Sequence, residues 1–240
     1  MRGRKQLPPV HFSASANTNL PAVLFDLDGT LVDSNYQHVN AWSETLQEAG
    51  IIIPRWKIHR RVGMSGRSMI QELLRELGHG KHAINVDRLE RKHDDRFRRV
   101  VRRLDPLPGA NDLIKHLYRH KIKFAIATTG GRDATTRLLK RLKLPAGVPV
   151  LTGDDVEKPK PSPDIFAAAA AALHVPIRHC IVVGDSVWDL LAAVRQSALG
   201  VGFLSGGYGQ EELERAGAFR IYSDAADMLM HIEQLGLPGK

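Results

Sequence analysis

The chain has 240 residues, of which 43% are hydrophobic and 25% charged, and its formal net charge is +8. This length suits one large α/β domain or a core with a smaller insert, and the composition is ordinary for a soluble globular protein. There is no run of about 18 apolar residues that could cross a bilayer, and a single cysteine, Cys180, excludes an intramolecular disulfide, so we expect a cytoplasmic protein with no membrane partner.

The first 20 residues are predicted to form a disordered basic leader. They hold three Lys or Arg and no acid, and they lack the apolar segment of a secretory signal. A second excess of positive charge lies in residues 34–108, with 15 Lys or Arg against 9 Asp or Glu. Its densest part, from Arg88 to Arg103, has the apolar spacing of an amphipathic helix, with Val100 among the apolar positions. We interpret these charges as a solvated helix face, with attraction of an anionic substrate as the alternative, and expect no nucleic-acid partner.

Short apolar runs alternate with helical patterns through most of the chain. Buried apolar strands separated by helices predict an α/β fold with a parallel, doubly wound sheet. In such a sheet the functional groups collect at the carboxyl ends of the strands. The predicted strands are residues 22–25, 124–127, 149–151, 180–183 and 201–204. The predicted core helices are residues 110–120, 134–142, 163–174 and 187–197.

One interval breaks the alternation of strands and helices. Residues 34–108 contain helical patterns only, and two prolines close the interval. We therefore predict an inserted helical cap domain over residues 34–108, while residues 21–33 and 109–240 form the core. The helical patterns of the cap are residues 36–49, 67–77 and 85–104.

Two carboxylates follow the first predicted strand, in Asp26-Leu27-Asp28-Gly29-Thr30. Within a regular strand, the backbone sets the direction in which the side chains at i and i+2 point. At the end of the strand, a turn at Gly29 allows Asp26 and Asp28 to reach one pocket. Acids packed there need a cation to compensate their charge. A simple Asp-Gly turn is the alternative interpretation.

Further polar groups follow the other predicted strands. Thr128-Thr129-Gly130-Gly131 offers a hydroxyl and backbone N–H groups suited to a phosphate. Gly184-Asp185-Ser186, with Asp189 four residues beyond Asp185, offers hard oxygen ligands that suit Mg²⁺. Lys158 and Lys160 lie in a proline-rich segment that fixes where a lysine points. Taken singly, each signal also fits a helix cap or an ordinary surface loop.

Together and in this order, the segments resemble the four motifs of the haloacid dehalogenase superfamily. The matching segments are Asp26-Leu27-Asp28-Gly29-Thr30, Thr128, Lys160 in Lys160-Pro161-Ser162-Pro163-Asp164, and Gly184-Asp185-Ser186 with Asp189. The resemblance covers nearly everything from Leu20 to the C-terminus. It implies a Rossmann-like core with a small helical cap between the first and second motifs, as in the group of phosphoglycolate phosphatases and beta-phosphoglucomutases.

The resemblance also implies a magnesium-dependent phosphatase that acts on a small phosphorylated metabolite. Asp26 would be the nucleophile and become a phosphoaspartate, while Asp28 would be the general acid and base, with neighbouring carboxylates and a partly closed site favouring its protonation at the right moment. Thr128 would hydrogen-bond the transferred phosphoryl group and Lys160 would neutralise it. The Lys-Pro-x-Pro-Asp spacing favours Lys160 over Lys158. The implied Mg²⁺ ligands are the Asp26 carboxylate, the Asp28 backbone carbonyl and Asp185, supported by Asp189.

Four residues are candidates for substrate binding: Thr129, Gly130, His38 and Arg67. Arg67 ends a Gly-rich basic loop before a helix, which suits an anion. His38 lies in a segment similar to one in beta-phosphoglucomutases, so a phosphoryl mutase is the alternative function, and a hinge histidine with no catalytic role fits equally well. A silent binding module is disfavoured because every chemical position is filled, and a receiver domain because of the helical insert. The substrate, and the choice between monomer and homodimer, stay open.

Overall fold

The computed structural model describes residues 20–78, 84–158 and 160–239, so the predicted leader lies outside the described residues except for Leu20. The described strands are β1 (Ala22–Phe25), β2 (Phe124–Ala127), β3 (Val150–Leu151), β4 (Cys180–Gly184), β5 (Leu199–Phe203) and β6 (Ala218–Tyr222). They form one sheet in the order β3-β2-β1-β4-β5-β6, and every pairing is parallel. The predicted fold class is confirmed.

Ten α-helices surround the sheet in the described part of the chain. The first four follow β1 and form the cap: α1 (Asn35–Glu48), α2 (Arg55–His59), α3 (Gly66–Glu76) and α4 (Val86–Val100). The other six belong to the core: α5 (Ala110–Arg119), α6 (Arg132–Leu139), α7 (Asp164–Ala172), α8 (Val187–Val194), α9 (Gln210–Arg215) and α10 (Ala225–Met230). None of these helices combines the length and the apolar character needed to cross a membrane.

Helices cover both faces of the sheet, which explains the continuous apolar runs of its central strands. Successive side chains of a strand point to opposite faces. In β1, Val23 and Phe25 join a cluster with residues of α5 and α10, whereas Ala22 and Leu24 join a cluster with residues of α7 and α8. Strands buried on both faces must be apolar at every position, so periodicity alone did not show which face each residue takes.

The cap has a hydrophobic core of its own, to which each of its four helices contributes. Trp42, Ile58, Met69 and Leu89 are among its buried side chains. The two chain segments that join cap and core lie side by side. The Leu107 N–H donates to the Leu31 carbonyl at 2.9 Å, and the Asp33 N–H donates to the Asp105 carbonyl at 3.1 Å.

The structure contains elements that the periodicity did not predict. They are α2, α9, β6 and α10, and β5 also begins at Leu199, earlier than expected. Phe219 and Arg220 in β6 are exposed because this strand is an edge of the sheet, so it has no continuous apolar run. In α4, Phe97 is buried as expected, but Val100 is 36% exposed, so its assignment to the apolar face was wrong.

Candidate active site

The predicted motif residues meet at the carboxyl ends of the central strands. Asp26 directly follows β1, Thr128 follows β2 and Asp185 follows β4. The chain goes from β1 to β2 on one side and later returns to β4 on the other side. A crevice opens above a sheet where the strand order reverses in this way, and it is the usual place for a ligand.

Lys160 lies at the centre of this cluster and is fully buried. Its Nζ is 2.5 Å from Asp26 Oδ1 and 2.7 Å from Asp189 Oδ1. Burial lowers the pKa of Lys160, but Asp189 and Asp26 outweigh this effect and leave the pKa above its ordinary value. Lys160 is therefore charged and holds the Asp26 carboxylate in place. Lys158, the competing lysine, is exposed.

Asp185 is held by two donors that the motif comparison did not single out. Thr30 Oγ1 donates to Asp185 Oδ1 at 2.8 Å, and Asn35 Nδ2 donates to Asp185 Oδ2 at 2.7 Å. All three side chains are buried. Gly29 makes this packing possible, because it has a φ of +77° and a β-carbon there would strike Asn35 and Asp185.

The charges in the cluster fit a divalent cation. Asp26, Asp185 and Asp189 bring carboxylate oxygens within 4.8 Å of one another. Burial and the other carboxylates raise the pKa of Asp26 well above its usual value despite Lys160, and burial followed by Asp189 raises the pKa of Asp185 to about 7. A bound Mg²⁺ would offset this repulsion, and carboxylate oxygens are ligands that it prefers.

Asp189 has less freedom to act as a ligand than the other two acids. Its Oδ1 faces Lys160, while its Oδ2 accepts from Ser186 Oγ at 2.5 Å and from the Ser186 N–H at 3.2 Å. These contacts cap the start of α8. Asp189 therefore supports Lys160 and the helix, and Asp26 and Asp185 are the carboxylates that would hold the metal.

Asp28 lies beside Asp26 but in a different polar environment. Its Oδ1 accepts from Ser34 Oγ at 2.6 Å, and its Oδ2 accepts from Thr128 Oγ1 at 3.1 Å. Burial raises the pKa of Asp28, but His38, Ser34 and Thr128 together outweigh it and leave the pKa below its ordinary value. Burial therefore favours protonation of Asp28 as expected, but neighbouring carboxylates do not contribute, because the groups that contact Asp28 are donors.

A pair of stacked histidines connects Asp28 to the cap. His38 Nε2 is 3.2 Å from Asp28 Oδ1, and His38 Nδ1 is 3.1 Å from His93 Nε2. His93 Nδ1 in turn lies 3.0 Å from Asp94 Oδ1. Burial lowers the pKa of His93 to about 4, so His93 is neutral at pH 7.

These contacts fix the positions of the protons. Neutral His93 donates from Nδ1 to Asp94, so its Nε2 accepts from His38 Nδ1. The contact between His38 Nε2 and Asp28 then needs one more proton, carried by either partner. We infer that Asp28 and His38 share a proton.

The loop after β2 forms one side of the cluster. Thr128 Oγ1 donates to Asp28 and accepts from the Gly130 N–H at 3.0 Å. Thr129 and Gly130 line the cavity above Asp26, and Thr129 Oγ1 is 3.5 Å from the carbonyls of Gly63 and Met64 in the cap. This loop therefore lies between the nucleophile position and the cap.

The cap lies over the cluster, and cap and core together line an open cavity of about 450 Å³. The end of α2 and the loop after it make polar contacts with the core. Trp188 Nε1 and Tyr208 Oη both donate to the Arg60 carbonyl, at 3.3 and 2.7 Å, and the Arg60 side chain pairs with Glu212. His59 Nε2 lies 2.8 Å from the Gly206 carbonyl. These contacts hold the cap against the strand ends.

Arg67 lines the same cavity, far along the cap wall. Its guanidinium group pairs with Asp87 and with Glu90, the latter at 3.1 Å. About half of its side chain is exposed. Among the candidates for substrate binding, Thr129, Gly130, His38 and Arg67 thus all line one cavity.

Sequence reasoning missed several residues of the cluster, namely Thr30, Ser34, Asn35 and His93. Thr30 and Ser34 stand within or directly after the first motif, and that proximity was a usable signal. Asn35 begins α1 and reaches Asp185 across 150 positions, and His93 reaches His38 across 55. No local pattern could have revealed those two pairings.

Comparisons with known proteins agree with this geometry. A model of the family "haloacid dehalogenase-like hydrolase" matches residues 20–195. The chain is similar to beta-phosphoglucomutase of Bacillus subtilis (strain 168), with 29% identity over 221 residues that cover 89% of this chain and 95% of the relative. It is also similar to phosphoglycolate phosphatase of Caulobacter vibrioides, with 30% identity over 203 residues, which is 83% of this chain and 85% of the relative.

A solved hydrolase structure is also similar to this chain. The crystal structure of a hydrolase from Pseudomonas syringae superposes with a TM-score of 0.85 at 46% sequence identity. The match covers 90% of this chain and 98% of that structure. The similarity therefore includes both the sheet and the helical cap.

Proposed function

Because the chain belongs to the haloacid dehalogenase-like hydrolase family, we propose that it is a magnesium-dependent phosphatase that hydrolyses a small phosphorylated metabolite through Asp26. One observation carries the proposal: the Asp26 carboxylate is held by buried Lys160 at 2.5 Å, on the floor of the capped cavity. With a cation beside it to keep it ionised, a carboxylate fixed in this position is suited to attack a phosphate that Lys160 helps to neutralise.

In the first step, an oxygen of Asp26 attacks phosphorus and the bond from phosphorus to the ester oxygen breaks. The leaving alcohol takes the proton that Asp28 and His38 share, delivered by Asp28 because it lies next to the nucleophile. Thr128 donates a hydrogen bond to the transferred group once substrate displaces its contact with Asp28. The product of this step is a phosphoaspartate on Asp26 and a free alcohol.

In the second step, a water molecule attacks phosphorus of the phosphoaspartate. Asp28 is now ionised and takes one proton from the water, and inorganic phosphate leaves as the Asp26 carboxylate is restored. The contacts that lower the pKa of Asp28 favour this base role. The two steps thus use opposite protonation states of the same carboxylate.

The metal would be held by the Asp26 carboxylate, the Asp28 backbone carbonyl and Asp185, with Thr30 and Asn35 orienting Asp185. When bound, Mg²⁺ would reduce the repulsion between the anionic nucleophile and the anionic substrate. Lys160 leaves the pKa of Asp26 above its usual value, so this lysine does not by itself compensate the negative charge of the carboxylate cluster.

The cap limits the size of the substrate. A cavity of about 450 Å³ suits a small phosphorylated metabolite, and the contacts at Arg60 hold the cap over that cavity. We extend the proposal to a cytoplasmic location, because the lone Cys180 cannot form an intramolecular disulfide.

A beta-phosphoglucomutase-like reaction is the second candidate. The contact between His38 and Asp28 favours it, because it connects the general acid to the cap that must exclude water in a mutase. The hydrolase remains our proposal, since the cavity leaves Asp28 15% exposed and so within reach of water.

A screen of phosphorylated metabolites, scored for released phosphate with Mg²⁺ and with EDTA, tests the proposal. We expect release from several small phosphomonoesters with Mg²⁺ and none with EDTA. Full activity of the metal-free protein would contradict the proposed site. Conversion of one sugar phosphate into another without phosphate release would favour the mutase.

A further inference from the structure

The cavity has two chemically different ends. Asp26 and Asp28 form the inner end, where the phosphoryl group reacts. We call the rest of the lining, which comes from the cap and from core loops, the outer end of the cavity. Its acidic residues are Glu90, Asp94, Asp154 and Glu157. A substrate with its phosphate at Asp26 therefore extends into a cavity lined by four further carboxylates.

Two guanidinium groups line the same cavity within the described part of the chain, and both are already paired. Arg61 contacts Glu76 and Glu72, and only 13% of its side chain is exposed. Arg67 contacts Asp87 and Glu90. Each arginine thus faces two carboxylates, so neither offers a free positive charge to a ligand.

In the described part of the cap, the other Lys and Arg side chains are not among the residues that line the cavity. On α4, Arg96 and Lys92 pair with Glu48 of α1, and Arg98 pairs with Asp95 and Asp133. None of these basic residues is among the residues that line the cavity. The net charge of +8 therefore does not describe the substrate's surroundings at the outer end.

We propose that the outer end of the cavity excludes anionic groups and selects phosphomonoesters whose other end is a neutral polyol, with Glu90 as a specificity-determining residue. Arg67 and Glu90 lie side by side there as donor and acceptor, 3.1 Å apart. Hydroxyl groups both donate and accept, so they match this pattern, whereas a second carboxylate meets like charges. This inference rests on the proposed function, since it assumes that the phosphate lies at Asp26.

Two substrates that differ in one group test the inference. Glycerol 3-phosphate ends in a hydroxymethyl group where 3-phosphoglycerate has a carboxylate, and the rest of the two molecules is the same. We expect kcat/KM for glycerol 3-phosphate to exceed that for 3-phosphoglycerate by about tenfold or more, the size expected for one repelled charge in a partly hydrated cleft. Calorimetric binding of both esters to the Mg²⁺-loaded Asp26→Asn protein should show the same preference.

Glu90→Gln should reduce the preference for glycerol 3-phosphate over 3-phosphoglycerate several-fold, because it raises kcat/KM and the binding affinity for 3-phosphoglycerate. Asp154→Asn, on the opposite wall of the cavity, is a second variant that should act in the same direction. The matched control is Asp95→Asn, because Asp95 is also on α4 but is exposed and pairs with Arg98 outside the cavity. This control removes the same charge and should leave the preference unchanged.

Equal or better use of 3-phosphoglycerate by the wild-type protein would overturn the inference. The inference would also be overturned if Glu90→Gln and Asp154→Asn, like the Asp95→Asn control, left the preference for glycerol 3-phosphate unchanged. Absence of binding of either ester would overturn it as well. Failure of the proposed function looks different: neither ester releases phosphate, yet calorimetry still reports the preference and its loss in the variants.

Discussion

Replacing Lys160 with alanine removes the positive charge that lies between two buried carboxylates. In the wild-type protein Nζ is 2.5 Å from Asp26 and 2.7 Å from Asp189, and the lysine is fully buried. Removing one partner of a buried ion pair costs about 3–5 kcal/mol, because the other charge stays buried without compensation. For a chain of this size, that loss corresponds to a fall in Tm of roughly 6–20 °C.

The assay is urea unfolding of the metal-free protein in EDTA at pH 8, with Lys158→Ala as the matched control because Lys158 is exposed. The pKa of Asp26, already raised by burial, should rise further without Lys160. Proton uptake then relieves the repulsion, so the loss of stability should shrink as the pH falls from 8 to 5. Phosphate release with Mg²⁺ should fall far more in Lys160→Ala than in Lys158→Ala.

Two results would refute this reasoning. One is a Lys160→Ala protein that unfolds within about 1 kcal/mol of the wild-type protein at pH 8, since the ion pair would then carry none of the expected energy. The other is a larger loss of activity in Lys158→Ala, which would transfer the catalytic role to Lys158.

The structure leads to three further predictions. Because the pKa of Asp185 is raised to about 7 in the metal-free protein, Mg²⁺ must displace the Asp185 proton at lower pH. Calorimetry should therefore show an Mg²⁺ affinity about tenfold weaker at pH 6 than at pH 8. An equal affinity at the two pH values would contradict the assignment of Asp185 as a metal ligand. His38→Ala should reduce phosphate release by about tenfold or less, because water can reprotonate Asp28, and should raise the pKa that kcat/KM reports for Asp28, whose lowering His38 contributes to. With beta-glucose 1-phosphate and a trace of the bisphosphate, the wild-type protein should release phosphate faster than it forms glucose 6-phosphate, and the reverse would identify a mutase.

The central strands and their polar ends could be predicted because their signals are local. An apolar run such as residues 22–25 followed by an acidic turn is visible in a few consecutive residues. The edge strand β6 could not be predicted, because two of its five residues are exposed and interrupt the apolar run. The short helices α2 and α9 have five and six residues, which is too few to display helical periodicity.

The sequence predicted that the acids lie at the strand ends, but it did not predict which groups contact each acid. Asp28 was expected among carboxylates, but the fold surrounds it with Ser34, His38 and Thr128. These contacts depend on how α1 and the loop after β2 pack against β1. Long-range packing therefore decides the protonation state of a motif residue, and the motif itself does not show it.

The central claim is that Asp26 carries the phosphoryl group during turnover, and peptide mass spectrometry tests it directly. The protein is mixed with a hydrolysed phosphomonoester and Mg²⁺, quenched rapidly in acid and digested, with Asp26→Asn as the matched control. We predict that the wild-type peptide containing Asp26 gains the mass of one phosphoryl group, while the Asp26→Asn protein stays folded, gains nothing and releases no phosphate. An unmodified Asp26 peptide from protein that is turning over, or phosphate release by folded Asp26→Asn protein, would contradict the account.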